Sequence, residues 1–173
     1  MKSISRKQFI QHTLMGGIAL PFVLQGQTQQ PEKPPPLKLD VVKEFVGVSH
    51  GNFARAKEML ENEPLLLHSS YDWGGGDFES GIEAAGHVGN KEIAAYLLGK
   101  GARYNIYLVC MLGHLDVVKS VLTFNAGLLN SKGPHGFTML HHANKGGDGS
   151  KPVVDYLVSL GAKETKIDFY AKA

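Results

Sequence analysis

The sequence predicts an all-α protein built as a row of about four helix–turn–helix units, one of them truncated at its leading turn. Three observations carry that expectation. First, Ile82–Ala102 reads as two short amphipathic helices: apolar residues fall at Ile82, Ala85 and Gly86, then at Ile93, Ala94, Tyr96, Leu97 and Leu98. Gly89-Asn90 punctuates the middle, and Gly101 stands where a helix needs a left-handed residue to end. Second, the segment Ile93–Leu98 recurs as Val117–Leu122 and Val153–Val158. Third, these segments start 24 and 36 residues apart, and the step from the first unit to the second is also in the thirties. A period near 33 marks a stack of helical repeats. A helix pair this small cannot bury its own apolar face, so it needs neighbours of the same kind.

Taken in order, residues 1–28 read as an export signal. MKSISRK is basic, and the apolar run Phe9–Leu24 is interrupted by Gln11, His12 and Gly16-Gly17. That run is too short and too polar to span a bilayer, so no stable membrane span is expected once the signal is removed. Ser5-Arg6-Lys7-Gln8-Phe9-Ile10 resembles the twin-arginine motif of bacterial export, with Lys7 in place of the second arginine, so general secretion is the alternative route. Gly26-Gln27-Thr28 offers a small-x-small cleavage site. An exported protein, periplasmic or extracellular, follows from this reading. Residues 29–38, with Pro31, Pro34, Pro35 and Pro36, form an extended proline-rich linker.

Helix pairs fill residues 39–173. Asp40 caps a first helix through Val41, Val42, Phe45, Val46 and Val48; Ser49–Asn52 makes the turn, and Phe53–Asn62 forms the second helix. The second unit is Ile82–Ala102, and the third places Val117–Leu122 after the turn Gly113–Asp116. The fourth runs from Thr138 through Val153–Val158 to Gly161-Ala162. Ile167, Phe169 and Tyr170 argue that the tail docks, folding back over the last helix.

Several motifs in register carry a resemblance. Gly89-Asn90-Lys91-Glu92-Ile93 with Leu97-Leu98 and Gly101-Ala102, Gly113-His114-Leu115-Asp116-Val117-Val118, and Gly136-Phe137-Thr138-Met139-Leu140-His141-His142-Ala143 resemble the turn, second helix and opening motif of the ankyrin-repeat family. The resemblance covers about Asp40 to Ala162 and implies an ankyrin-repeat solenoid. It also implies that His141 is a structural histidine bonded to backbone. Three departures stand out. Glu83 replaces the histidine usual in the opening motif. Almost no chain lies between Ala102 and Ile106, so the third unit lacks its protruding β-turn finger. The finger before the second unit, Ser69–Phe78, is long and carries Trp73-Gly74-Gly75-Gly76-Asp77.

Composition narrows the function. Three of the 18 basic residues (Lys2, Arg6, Lys7) and none of the 16 acidic ones fall in the first 30 positions, so the rest of the chain is near neutral. Binding of nucleic acid by phosphate neutralisation has no footprint here. The single cysteine, Cys110, excludes an intramolecular disulfide and a CxxC site, and stands where a buried, inert residue is expected. No Ser-His-Asp, paired-carboxylate or HExxH arrangement can be defended from spacing, so no enzyme is expected.

Ankyrin-type repeats usually bind partners with their finger tips and concave side. By register that surface includes Ser49, His50, Asp77, Glu79, His87, Val88, Met111, Leu112, His135, Phe137 and Lys145. The candidate interface is Tyr71, Asp72, Trp73, Asp77, Glu79, His87, Met111, Leu112, His135 and Phe137. Two roles fit Trp73: an aromatic anchor for a partner, or a side chain packed across the gap left by the missing finger. Met111-Leu112 is open to the same pair of readings. The first functional expectation is a monomeric, non-enzymatic scaffold that binds a protein or peptide and needs no cofactor. The alternative is a small-molecule or metal-binding protein, conceivably hydrolytic, using His50, His87, His135, Asp77 and Glu79. Packed layers about 10 Å apart would hold these side chains too far apart to share one ion, so no metal is expected.

Overall fold

The computed structural model describes residues 33–170, which fall almost wholly within the unit Pro36–Ala173. The expected signal peptide and the start of the linker lie outside the described residues; residues 33–38 have no regular secondary structure. The chain is mostly helical, as expected. Among the described residues the α-helices form four successive pairs: α1 (Leu39–Val48) with α2 (Phe53–Asn62), α3 (Gly81–Val88) with α4 (Lys91–Gly99), α5 (Ile106–Leu112) with α6 (Leu115–Phe124), and α7 (Met139–Lys145) with α8 (Lys151–Ser159). An antiparallel hairpin, β1 (Ser70–Asp72) and β2 (Phe78–Ser80), precedes α3, with Tyr71 opposite Glu79.

Local chemistry explains most boundaries. The side chains of Asn52, Asn90 and Thr138 accept the N–H three residues on, opening α2, α4 and α7. Asp40 is not the cap expected of it: α1 begins one residue earlier, and Asp40 lies in the first turn, where its carboxylate complements the helix dipole. Gly89 ends α3 with φ 82°, and a Cβ there would meet the Lys145 carbonyl oxygen at 2.5 Å, so only glycine fits the approach of the two chain segments.

The helices lie in two rows. In the inner row α1 packs on α3, α3 on α5 and α5 on α7; in the outer row α2 packs on α4 and α6 on α8. The short third unit changes the spacing of the whole. With no finger before α5 and only seven residues in it, α3 also touches α7 directly. The His141 Nε2–H of α7 donates to the His87 carbonyl of α3 at 2.9 Å. On the outer side, α4 and α6 part instead, leaving a cleft of about 300 Å³ lined by Leu98, Tyr104, Val109, Leu112, His114 and Val117. The stack therefore closes on its inner face and opens on its outer face.

Two apolar clusters hold it. One gathers Phe45, Val46, Leu66, Ile93, Leu97, Leu108 and Met111; the other gathers Cys110, Val118, Met139, Val153 and Leu157. Each fully buried side chain of this size contributes about 1.5–3 kcal/mol. Glu83 supplies a polar tie where the third finger is missing. Its carboxylate accepts from the Ser80 N–H and hydroxyl and from Asn105 Nδ2 at 2.6 Å, while Asn105 caps α5 through the N–H groups of Tyr107 and Leu108. The tail docks, but on the turn before α7 instead of on the last helix. Ile167 N–H donates to the Gly136 carbonyl, Thr138 N–H to the Thr165 carbonyl, and the Tyr170 hydroxyl reaches the Gly74 carbonyl at 2.9 Å.

Candidate metal centre

Strand β2 inverts the usual logic of burial. Phe78 is 59% exposed, whereas the carboxylate of Glu79 next to it is wholly buried. A buried carboxylate needs compensation, and four side chains from separate segments provide it. Trp73, in the turn of the hairpin, donates its indole N–H to Glu79 Oε2 at 2.8 Å. His87, in the last turn of α3, sets Nδ1 2.8 Å from Glu79 Oε1. His135, in the turn before α7, sets Nε2 3.3 Å from Oε2, and His50, after α1, sets Nε2 3.7 Å from Oε2.

The tautomers follow from the partners. His50 Nδ1 faces the carbonyls of Val46 and Gly47 at 3.1 and 3.0 Å, so it carries the proton and leaves a lone pair on Nε2. His135 Nδ1 lies 2.7 Å from Asp77 Oδ2, which fixes the same tautomer there. Asp77 Oδ1 also accepts the His135 backbone N–H at 2.8 Å, holding the residue at φ 59°, the one positive φ outside glycine among the described residues. A strained backbone of this kind costs about 1–3 kcal/mol and persists only where its surroundings impose it. His87 differs. Despite their 2.8 Å approach, neither His87 Nδ1 nor Glu79 Oε1 has a partner at hydrogen-bonding angles, so the contact is not a directed bond. Burial opposes ionisation of Glu79, but the close approach of His87 and the positive charge that His87, His50 and His135 carry when protonated more than offset it and hold its carboxyl below the ordinary value.

One donor atom each from His50, Glu79, His87 and His135 lies within 4.8 Å of the others. That overturns the expectation of side chains too far apart to share an ion. The layer spacing governs helix axes, whereas these donors project from a turn, a strand, a helix end and a second turn toward one point. The direct α3–α7 contact brings His135 to them. Three imidazoles and one carboxylate form the donor set of zinc and its late first-row neighbours. At bond lengths near 2.0–2.2 Å, donors on one ion sit about 3–4 Å apart, so the residues present fit such an ion with small side-chain shifts. Asp77 behind His135, backbone carbonyls behind His50 and Trp73 beside Glu79 match the supporting contacts that orient metal ligands.

The other candidate residues fall around this point or away from it. Tyr71 packs edge-on against Trp73 at 5.0 Å between ring centres, and Asp72 Oδ1 accepts from the N–H groups of Gly74 and Gly76, closing the hairpin turn. Phe137 stacks on His141 at 4.0 Å and lies 5.2 Å from the His87 ring. Met111 does not belong to an exposed interface: it is fully buried in the first core, with Leu112 half-buried beside it. Trp73 is 38% exposed and packs toward the cluster. Cys110 is buried and its thiol is pushed up to about 12 by that burial, which leaves it unreactive. His50 joins the centre although it lies outside the candidate interface. It belongs to the residues expected of the metal-binding alternative, although the four donors share no local motif. The alternation of Asp77 and Glu79 about an outward Phe78 is the nearest to one.

No protein-family model matches the chain, and no curated protein matches it in sequence.

Proposed function

We propose that this chain is an exported helical-repeat protein of ankyrin type that binds a divalent first-row transition-metal ion through His50, Glu79, His87 and His135. The observation that carries the reading is the convergence of four donor atoms, from four separate segments, within 4.8 Å. The uncommitted Glu79 Oε1 and His87 Nδ1 add to it, because an ion between them gives both buried atoms the partner they lack. The ankyrin assignment draws support from the stacked helix pairs and the motifs at Gly89–Ile93, Gly113–Val118 and Gly136–Ala143; the export assignment rests on residues 1–28. A peptide-binding scaffold is less well supported. Of its interface residues, Asp77, Glu79, His87 and Met111 are all buried, and the first three have another task.

The test uses the untagged protein, stripped with a chelator and titrated with zinc. Trp73 is the only tryptophan and bonds directly to Glu79, so its fluorescence reports the site. One ion should bind per chain, and Glu79→Gln or His87→Ala should weaken binding by about 100-fold or more. Binding that is substoichiometric, or that ignores both substitutions in folded protein, would remove the reading.

A further inference from the structure

We infer that the cavity at the short junction before α5 binds a free α-amino acid, with its ammonium on Glu83 and its carboxylate on Arg103. The site does not depend on the metal-binding reading. Only Arg103, Tyr104 and Asn105 lie between Gly101-Ala102, which closes the second helix pair, and the start of α5. With no finger there, a cavity of about 200 Å³ opens between the base of the hairpin and this junction. Pockets for drug-sized ligands run from about 300 to 1,000 Å³, so this one suits a smaller molecule.

Two opposite charges line this cavity without meeting. Glu83 Oε2 accepts the Ser80 N–H and hydroxyl at 2.9 and 2.7 Å, and Oε1 accepts from Asn105 Nδ2 at 2.6 Å. Ser80 and Asn105 line the cavity with it, which sets the carboxylate at the wall. All three donors are neutral, and Oε1 can accept one more bond. Arg103 lines the same cavity and donates one guanidinium N–H, to the His68 carbonyl at 3.2 Å, leaving the rest of its fork uncommitted. Among the described residues neither Glu83 nor Arg103 has an ion-pair partner within 4.0 Å, so the two also stand farther than that from each other. A half-buried carboxylate with no cation beside it is poorly compensated. A molecule with an ammonium and a carboxylate on one carbon answers both groups at once. Its ammonium gives Oε1 a charged donor, and its carboxylate fits the planar Arg103 fork. A simple anion would meet repulsion from Glu83, and a simple cation would meet it from Arg103. Leu67 and Tyr104 line another part of the wall and give the ligand's side chain an apolar flank.

The experiment is isothermal titration of the untagged chain with each of the standard free L-amino acids, after a chelator has removed any ion that could capture them. The expected result is saturable binding of at least one, at one molecule per chain. Its N-acetyl and carboxamide forms, which each lack one charge, should bind at least about tenfold more weakly. Arg103→Gln and Glu83→Gln should each weaken binding by about tenfold or more. Gln can still serve the capping box at the start of α3, so the helical signal of both variants should match wild type. Absence of saturable binding by every amino acid, capped forms that bind as tightly as the free one, or unchanged binding in both folded variants overturns the site. No metal is present in these titrations, so none of these outcomes bears on the metal centre.

Discussion

Asp77 spends both oxygens on one residue, Oδ1 on the His135 N–H and Oδ2 on its Nδ1–H. An amide in its place could accept only one of these bonds and would turn its NH₂ toward the other, favouring the tautomer that protonates Nε2. Asp77→Asn should therefore lower zinc affinity by about 10–100-fold in a chelator competition while the helical signal stays intact. An unchanged affinity would remove the positioning role. A second histidine is bound up with stability. His142 is buried and pushed down to about 4 from its ordinary 6.5, with Nδ1 donating to the Thr138 carbonyl. A base with a depressed folded pKa leaves the unfolded chain binding more protons between pH 6.5 and 4. Stability must therefore fall as pH falls through that window. The full loss is about 3 kcal/mol at one unit per 1.36 kcal/mol. Denaturant midpoints of wild type and His142→Gln should thus converge as pH drops, and parallel curves would show that His142 does not titrate on unfolding.

Among the elements, α5 decides most. Its seven residues, capped by Asn105 and closed at Gly113, carry Leu108 and Met111 into one core and Val109 and Cys110 into the other. The helix is thus the seam between the two clusters. Met111→Ser removes fully buried apolar volume and puts a polar hydroxyl in the core, so it should destabilise the protein by about 3 kcal/mol. Urea unfolding reads this directly, and a loss under about 0.5 kcal/mol, typical of a surface change, would return Met111 to the surface. The boundaries of these elements were largely legible in the sequence. Phe53–Asn62 was readable from its apolar face and the turn Ser49–Asn52 before it, and α4 from the Gly89-Asn90 punctuation and the run Ile93–Leu98. These signals are local, set by helix periodicity and single hydrogen bonds. The docking of the tail on Gly136–Thr138 was not legible, because it depends on backbone bonds between segments far apart in the chain.

For the whole molecule, the inner face works as a clasp. The hairpin before α3 and the turn before α7 both supply donors to the proposed metal site, and the tail touches both, through Gly136 and through the bond from Tyr170 to Gly74. An ion shared between them would cross-link the second and fourth helix pairs. At a free zinc concentration 100 times the dissociation constant, the unfolding free energy should rise by about 2.7 kcal/mol. Amide exchange should slow together at residues 71–80 and 133–138. Slowing in only one of these segments would mean that the ion is not shared across the face.

Residue order by itself determined the helix pairs, their punctuation, the shortened third unit and the polar character of one face, since each depends on chemistry within a few positions. It also supplied the centre's residues: His50, Asp77, Glu79, His87 and His135 are legible as unusual polar side chains in a scaffold of helix pairs. Their convergence was not. Treating the units as evenly spaced layers separated side chains that the finger-less third unit allows to meet, because α3 then touches α7. His50, Glu79, His87 and His135 become one site only through that tertiary contact and the inward turn of β2. The physical reason is that an ion's coordination sphere is a few ångströms across, a distance set by how elements pack and not by where residues stand in the chain.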